Sequence, residues 1–344
     1  MKKSLVVILL SITFVTSILI VIGVVFGKPE NEKQQGLTEV FDVSLDGTLA
    51  YVAYDKGKAG IYLQNDKKLF ENPILQLNSE QEILDVDFSP DGSSLAFVVT
   101  DKEVTATLKS SVHLLTLASL EAIELFADDG LITELDFDPK DQDALFYLRA
   151  GTFENYSPIA SARPHDFDMY SYRASANEHT QHTELLNYSM DSLKVSSISP
   201  FAYIQMFDDA HVETADDVFE AKQRVFQIPF ESSDDISVIS QIDRGEDIYD
   251  FAIVQNKSEV IFQSVSQTGE NGIYEYELFL YNWETGEEKQ LTHLKEYAGR
   301  PVIGPGNDKV YFIVDKRFGE RRPAYYLYQM DLVGKNIEEI ELDL

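Results

Sequence analysis

The sequence of 344 residues contains no cysteine and few basic residues, and each shortage excludes a class of protein. Without cysteine the chain cannot form a disulfide scaffold, a thiol nucleophile, a zinc ribbon or a lipid-modified cysteine anchor. Only 28 Lys and Arg residues face 59 Asp and Glu residues, which gives a formal net charge of −31. Such a surface repels phosphates, so binding to nucleic acid, or to a membrane through basic patches, is not expected. The 21 Phe and 18 Tyr residues indicate a folded protein and not a disordered acidic polymer.

The N-terminal segment predicts a membrane anchor. Residues 4–27, SLVVILLSITFVTSILIVIGVVFG, carry no charge and follow Lys2 and Lys3. As a helix this run covers roughly 34 Å, slightly more than the roughly 30 Å hydrocarbon layer of a membrane. The alternative, a cleavable signal peptide, has an apolar core of only about 7–15 residues followed by a small-x-small site, which is not evident here. We therefore predict an uncleaved transmembrane signal-anchor over residues 1–27, with the two lysines in the cytoplasm.

The rest of the chain is expected outside the membrane. Residues 28–37, KPENEKQQGL, are polar and aperiodic and are interpreted as a tether. Residues 38–344 form the exterior domain. An acidic, cysteine-free domain on an uncleaved anchor suggests a single-pass protein of a bacterial cell membrane, more naturally Gram-positive, with its C-terminal domain extracytoplasmic.

An internal repeat predicts the fold of the exterior domain. Its best copy, residues 84–99, reads LDVDFSPDGSSLAFVV, which is two strands around a Ser-Pro-Asp-Gly turn. The spacings between successive turns are 45, 49, 61, 55 and 50 residues, counted from Ser44, Ser89, Asp138, Ser199, Val254 and Gly304. This period is typical of four-stranded blades. The sequence therefore predicts an all-β, six-bladed β-propeller.

Two stretches carry a family resemblance. The turn and strand of residues 89–97 and the LFLY strand with Thr-Gly-Glu at residues 278–287 resemble the WD40-like repeats called PD40, found in TolB-type six-bladed propellers. The resemblance extends over residues 38–344 at the level of blades. It is weakest in the fourth unit, where residues 199–211 lack the Pro-Asp-Gly turn and an acidic segment follows. The resemblance implies a binding platform, often for other envelope proteins, and no reaction.

Motifs for catalysis are missing from the sequence. It contains no Gly-x-Ser-x-Gly elbow, no phosphate-binding loop and no dinucleotide fingerprint. We interpret the chain as a non-enzymatic platform without a cofactor that binds a protein or a cell-envelope component. The alternative is a propeller hydrolase that uses carboxylates of the central channel, with or without calcium.

Aligning the repeats brings out a candidate metal site. The residues two positions before the first three turns are Asp42, Asp87 and Asp136. The corresponding residues of the last three units are Ser197, Ala252 and Val302. If these positions lie on the innermost strands, the three aspartates converge on the channel, with Asp85 and Glu134 one alternation further along. Such a group can bind Ca²⁺, which takes six to eight oxygen ligands, or it is a set of hydrated channel residues.

The interval between Arg149 and Leu185 is unusually long and is expected to form a large loop over one face. Loops on a rigid scaffold often carry specificity. The candidate partner-contact residues in this loop are Phe153, Tyr156, His165, His179 and His182. The spacing of the last two suits a metal only on a helix, and their polar neighbours favour solvated loop histidines instead.

Overall fold

The computed structural model describes residues 11–17, 30–65, 68–69, 72–103, 108–154, 163–209, 221–231, 235–254, 257–269 and 272–342. Residues 11–17 are helical, and within the described residues no helix is both long enough and apolar enough to cross a membrane. The rest of the predicted anchor, residues 1–10 and 18–27, lies outside the described residues.

Strands make up most of the described chain and fall into six groups in chain order, which pair as five sheets because the last two groups form one eight-stranded sheet. The first three contain β1 (Gly36–Val43), β2 (Leu49–Asp55), β3 (Lys58–Asn65), β4 (Lys68–Leu69) and β5 (Leu75–Gln76); β6 (Gln81–Phe88), β7 (Ser94–Asp101), β8 (Ser110–Thr116) and β9 (Glu121–Asp128); and β10 (Leu131–Asp138), β11 (Asp141–Glu154), β12 (Arg163–Arg173) and β13 (Glu178–Gln181). The last three contain β14 (Met190–Val195), β15 (Phe201–Phe207), β16 (Gln223–Pro229) and β17 (Ser237–Val238); β18 (Ile248–Val254), β19 (Glu259–Thr268), β20 (Tyr274–Asn282) and β21 (Glu287–Gln290); and β22 (Tyr297–Ile303), β23 (Lys309–Asp315), β24 (Tyr325–Asp331) and β25 (Glu338–Glu339).

The six groups are blades of a closed ring. Within each blade neighbouring strands are antiparallel, and one parallel pair, Tyr276 with Tyr297, joins the fifth blade to the sixth. The first strands of the blades, β1, β6, β10, β14, β18 and β22, contact one another in that order, and β1 also contacts β22. These six inner strands therefore surround a central channel, as predicted for six blades.

Apolar side chains fill the spaces between blades. Strands such as β7 and β23 are buried along almost their whole length, because a blade packs on a neighbour with each face. One cluster joins the first blade to the sixth and includes Phe41, Tyr51, Ile313 and Leu327. Within the described residues each blade is one continuous stretch of chain, so this cluster closes the ring by side-chain packing and not by exchange of a strand.

The propeller has two ends, which differ in their loops. At the mouth face each inner strand turns into the second strand of its blade, as between β1 and β2. At the tether face the chain begins β1 at Gly36, and the second and third strands of each blade are joined, as in the β2–β3 and β23–β24 hairpins.

The prediction of one large loop between Arg149 and Leu185 is wrong for the described residues. Most of the interval is β11, β12 and β13, and β11 pairs with β12 over ten residue pairs from Ala144–Arg173 to Glu154–Arg163. Tyr156 lies outside the described residues. The interval is long because this hairpin projects beyond its neighbours.

Candidate functional site

Local turn chemistry positions the first channel residues. The amides of Ser44 and Ser89 donate to the carbonyls of Thr48 and Ser94 at 2.9 Å, closing the inner hairpins of the first two blades. The two serine hydroxyls donate to the aspartates two residues later, at 2.6 and 2.8 Å. Gly47 and Gly92 take positive φ angles of 82° and 67°, which L-residues with side chains rarely adopt. The turns thereby fix the direction of the residues two positions earlier.

These residues form an upper ring in the channel, close to the mouth face. Asp42, Asp87 and Asp136 occupy three of its positions, as predicted, and Ala252 and Val302 occupy two others. The remaining position belongs to Lys194 and not to Ser197. The hairpin of the fourth blade closes at Ser196, whose amide donates to the carbonyl of Phe201 at 3.0 Å, and not at Ser199. The sequence alignment was therefore displaced by three residues in this blade.

Each upper-ring aspartate hydrogen-bonds the main chain of the next blade. Asp42 Oδ2 accepts the amide of Phe88 at 2.9 Å, and Asp87 Oδ2 accepts the amide of Phe137 at 2.8 Å. Asp136 Oδ2 accepts the amide of Val195 in the same way. One oxygen of each carboxylate thus joins two blades.

A lower ring lies about one alternation deeper. Asp85 Oδ2 accepts the amide of Leu135 at 2.9 Å, and Glu134 Oε2 accepts the amide of Leu193 at 2.7 Å. Asp250 accepts the hydroxyl of Ser192. Asp85 and Glu134 therefore repeat the inter-blade bonding of the upper ring, whereas Asp250 accepts from a side chain of the preceding blade.

The cation of the lower ring is Arg300. Its Nη1 lies 3.5 Å from Glu134 Oε1, and its Nε lies 3.6 Å from Asp250 Oδ2. These are ion pairs beyond hydrogen-bond length. The side chain is 42% exposed although protein surrounds it, because it faces the channel.

β-Bulges direct the lower-ring side chains inward. In every inner strand the pairing with the next strand shifts at the same level, for example between Ile83 and Asp85 and between Ile248 and Asp250. The other shifts are in β1, β10, β14 and β22. A bulge bends the strand and redirects a side chain, which lets alternate residues keep facing the channel.

Burial and mutual repulsion shift the acidity of the ring carboxylates. Burial, with help from Glu134, raises the pKa of Asp85 to about 8. Burial raises the pKa of Asp136 to about 7, although Lys194 opposes the shift. Burial also raises the pKa of Asp87 well above its usual range, with repulsion from Asp136 and Asp42 as the next causes. Several ring carboxyls are therefore protonated near neutral pH.

The pKa values of the two cations are raised as well, which keeps these side chains charged. Burial alone would lower the pKa of Lys194, but Asp136, Asp85 and Asp87 outweigh burial and raise it. In the same way Asp250 and Glu134 outweigh burial and raise the pKa of Arg300. Both side chains stay charged and neutralise part of the ring.

The channel contains two cavities, one at each ring. The cavity at the mouth has a volume of about 410 Å³ and receives residues from all six inner strands. Its floor is the upper ring, and its wall is largely apolar, with Val43, Phe88, Phe137 and Ile303 among its residues. A second cavity of about 50 Å³ lies at the lower ring. Together their lining holds seven carboxylates and two cations, all within the described residues.

The calcium hypothesis stays a prediction. The structure places Asp42, Asp87 and Asp136 on one ring. Within the described chain, however, no group of three or more His, Asp and Glu side chains is arranged to hold a metal ion. The cation that the structure places beside these aspartates is the ammonium of Lys194.

The described candidate contact residues lie on or beside the strands of the third blade, and they differ in exposure, since His165 is buried and His179 is exposed. His179 lies on β13, and its Nδ1 is 2.9 Å from the hydroxyl of Tyr147. His182 contacts the hydroxyl of Ser171 at 2.8 Å. His165 is only 7% exposed, and Phe153 is half-buried. The two neighbouring histidines thus have separate partners, and a role of these residues in partner contact stays a prediction.

Lys194 and Arg300 were not predicted from the sequence. Repeat alignment could have found Lys194 if the fourth turn had been placed at Ser196. The position of Arg300 depends on the bulge between Gly299 and Val302, for which the sequence has no signal apart from the adjacent proline.

No known family profile matches the sequence, and no curated protein matches it. Solved structures match its fold. TolB from Acinetobacter baumannii shares 14% identity at a TM-score of 0.53, over 91% of this chain and 65% of TolB. An oligogalacturonate lyase in complex with manganese shares 13% identity at a TM-score of 0.57, over 89% and 77% of the two chains. The β-propeller domain of the trilobed protease from Pyrococcus furiosus, which has an open velcro topology, shares 14% identity at a TM-score of 0.52, over 90% and 84%. At these identities the similarity shows the β-propeller fold alone.

Proposed function

We propose that this chain is a non-enzymatic binding platform, anchored in a bacterial cell membrane by residues 4–27 and related to TolB-type propellers through its PD40-like turns. The platform is extracytoplasmic, in a Gram-positive envelope, and it binds a protein or another envelope component at the mouth face. The membrane anchor is inferred from the apolar run alone. The binding site is inferred from the channel mouth.

The mouth cavity is the observation that carries this proposal. It is the larger of the two channel cavities, and turns of several blades border it with apolar side chains. Leu45 at its edge is 72% exposed, and Ile198, next to the hairpin of the third blade, is 60% exposed. Exposed apolar residues around a concave site favour contact with a partner.

The floor of the cavity selects for charge. Three aspartates of the upper ring face one lysine, so the floor is negative when all three carboxyls are ionised and stays negative when one of them is protonated. A basic side chain inserted from a partner would gain from the free oxygens of the aspartates, while its aliphatic part would contact the apolar wall. The partner is therefore a protein or envelope component that presents a basic group.

Hydrogen bonding supports binding over catalysis. Every upper-ring carboxylate gives one oxygen to the main chain of the next blade. These bonds give the carboxylates a structural role, which accounts for their presence in the channel without a substrate. A general base or nucleophile would instead need its basic oxygen directed at a bound substrate.

A second candidate, a channel hydrolase, is favoured by one observation. Asp136 and Asp85 have pKa values of about 7 and 8, which suit a carboxylic acid that donates a proton near neutral pH. An acidic polysaccharide such as an oligogalacturonate is a poor substrate for this cavity, because the floor would repel it. Hydrolysis of neutral or basic substrates that is lost in Asp136→Asn would favour this candidate.

Site-specific cross-linking tests the platform. Since the chain has no cysteine, a photo-cross-linker on Leu45→Cys or Ile198→Cys labels the mouth alone. Ile123→Cys, on the outer strand β9 and 58% exposed, is the matched control. In the native membrane we expect one discrete adduct from the two mouth positions and none from Ile123→Cys. Replacing Asp42 and Asp136 by Asn should weaken the adduct. Equal adducts from all three positions, or none from any, would contradict a binding site at the mouth.

A further inference from the structure

The start of the propeller is held at the tether face. The amide of Gly57 donates to the carbonyl of Gln34 at 2.9 Å, and the amide of Lys56 donates to Gln35 Oε1 at 3.0 Å. Both donors belong to the β2–β3 hairpin. The last residues before β1 are therefore fixed to this hairpin and cannot swing to the other end of the propeller.

Little chain separates this point from the predicted anchor. Residues 30–33 form a 3₁₀ helix, which rises by about 2.0 Å per residue. Even full extension of the three residues after Gly27, at about 3.6 Å each, would give a reach of only roughly 20 Å from the predicted anchor to Gln34. With that anchor in a membrane, the tether face would lie near the lipid.

The tether face carries a basic hairpin in a chain of strongly negative charge. The β23–β24 connection reads KRFGERRP over residues 316–323, with four basic residues and one acidic residue, and all four basic side chains are exposed. Lys316 pairs with Glu339 at 2.7 Å, and Arg317 Nη2 donates to the carbonyl of Pro323 at 3.3 Å. Three exposed arginines lie at the tip of the hairpin: Arg317, Arg321 and Arg322.

The hairpin is built as a fixed structure. The buried carboxylate of Asp315 accepts the amides of Arg317 and Ala324 at 2.9 and 2.7 Å, which closes the base of the connection. Phe318 stacks on Tyr297 with ring centroids 4.9 Å apart. The arginines are thus presented from a defined place on the sixth blade.

This place lies next to the tether. Leu37, near the start of β1, belongs to the same apolar cluster as Tyr325, the first residue of β24. The basic hairpin and the attachment point of the tether therefore share one sector of the tether face, formed by the first and sixth blades.

From these relationships we infer that the tether face lies against the membrane and that Arg317, Arg321 and Arg322 bind the phosphates of anionic lipid headgroups. This inference rests on the membrane anchor of the proposed function. The net charge of −31 argues against such binding by the chain as a whole. Salt screens charges beyond about 8 Å, however, so the charges of the sector nearest the lipid decide the contact. Arginine suits the site because its guanidinium forms bidentate bonds with phosphate. The contact would direct the mouth face away from the membrane.

Energy transfer from a single labelled cysteine to acceptor lipids tests both parts of the inference. The full chain is placed in lipid nanodiscs of phosphatidylglycerol or of phosphatidylcholine, and incorporation is checked by gel filtration. The donor is attached at Glu320→Cys in the basic hairpin or at Leu45→Cys on the mouth face. We expect strong transfer from residue 320 and weak transfer from residue 45.

Charge reversal then tests the lipid contact. Arg317→Glu, Arg321→Glu and Arg322→Glu together should lower transfer from residue 320 about twofold in phosphatidylglycerol, since each arginine contributes to attraction by anionic lipid, and should change little in phosphatidylcholine. The matched control combines Lys257→Glu, Lys309→Glu and Lys335→Glu, three exposed lysines at the mouth face. It makes the same change in net charge and should leave transfer unaltered.

Three outcomes of the energy-transfer experiment would each contradict one part of the inference. Equal transfer from residues 320 and 45 in discs that contain the chain overturns the orientation. Transfer that is insensitive to the arginine triple, or equal for the two lipids, overturns the headgroup contact. Failure of the chain to enter discs overturns the anchor and this inference with it, whereas cross-linking at the mouth would still decide the platform.

Discussion

The carboxylate of Asp87 in the second blade accepts the backbone amide of Phe137 in the third at 2.8 Å. The same relationship joins Asp42 to Phe88 and Asp136 to Val195. A residue that faces the channel thus holds two blades together. Substitution of a ring residue should therefore change both the charge of the channel and the bonding between two blades.

Asparagine and alanine should have different effects at residue 87. Asp87→Asn keeps an oxygen acceptor for the Phe137 amide and removes repulsion from Asp42 and Asp136, so stability at pH 7.5 should be unchanged or slightly higher. Asp87→Ala leaves the amide without its partner and should cost about 1–3 kcal/mol. Urea unfolding of both variants measures the difference. Equal destabilisation by the two would show that the hydrogen bond is not the stabilising feature.

Calcium should have no specific effect on the propeller. An ion that binds only the native state adds RT ln(1 + [L]/Kd), about 2.7 kcal/mol at a hundredfold excess over Kd. Because Lys194 already compensates the upper ring, we expect Ca²⁺ and Mg²⁺ to shift the melting temperature equally. A rise specific to Ca²⁺ that disappears in Asp87→Asn would instead establish a cation site at Asp42, Asp87 and Asp136.

Removal of the Lys194 ammonium should lower the unfolding free energy by an amount that depends on pH. Lys194→Met removes the charge that compensates Asp136, Asp85 and Asp87. We expect a loss of about 3 kcal/mol at pH 7.5, because breaking a buried pair leaves charges uncompensated, and a smaller loss at pH 5, where the carboxyls take up protons. Lys140→Met, on the exposed hairpin of the third blade, is the control and should change stability little at either pH.

The channel carboxyls should make the propeller less stable as pH rises. A carboxyl with a raised pKa in the folded state binds its proton more tightly there, so its contribution is complete below about pH 4 and is lost as pH rises through the folded pKa. These values are about 7 for Asp136 and 8 for Asp85. Unfolding free energy should therefore fall from about pH 4 to about pH 8.

Asp85→Asn tests how much the Asp85 carboxyl contributes to the pH dependence of the unfolding free energy. Since channel water screens the shift, the variant should recover about 1–3 kcal/mol of the loss, mainly above pH 7. Asp308→Asn, an exposed control on the mouth face, should leave the slope as in the parent chain. A parallel slope in Asp85→Asn would contradict the raised pKa.

Arg224 should be irreplaceable by lysine. Its side chain is 1% exposed and donates to four carbonyls, those of Gln223, Ile242, Arg244 and Glu246. A lysine ammonium cannot reproduce the planar fork, so Arg224→Lys should cost about 2–4 kcal/mol in guanidinium unfolding. Arg173→Lys, at an exposed ion pair with Asp141, should change stability little, because solvent screens the pair.

Turn chemistry accounts for what could be predicted of the fold. Ser-Pro-Asp-Gly at residues 89–92 and the related turns mark hairpins wherever proline, aspartate or glycine dictates the backbone. The fourth hairpin, at Ser196, contains no glycine, and the neighbouring Ser-Pro at residues 199–200 displaced the alignment. A short sequence motif identifies a turn only where the backbone of that turn requires proline, aspartate or glycine.

The acidic half of the candidate site was predictable, but its basic half was not. Equivalent strands place Asp42, Asp87 and Asp136 at equivalent positions, which repeat alignment detects. Lys194 and Arg300 break the repeat, and a bulge shifts the register of their strands. His179 was misassigned because a four-residue outer strand with every residue exposed has the same polar sequence as a loop.

Closure of the ring by side chains alone affects the order of folding. Each blade can form as soon as its own residues are available, because no strand has to come from the opposite end of the chain. Phe41 and Tyr51 of the first blade, however, remain without their cover until Ile313 and Leu327 have been synthesised. An apolar blade face that waits so long is open to wrong contacts with other chains. The last blade therefore determines when the nascent protein stops being prone to aggregation.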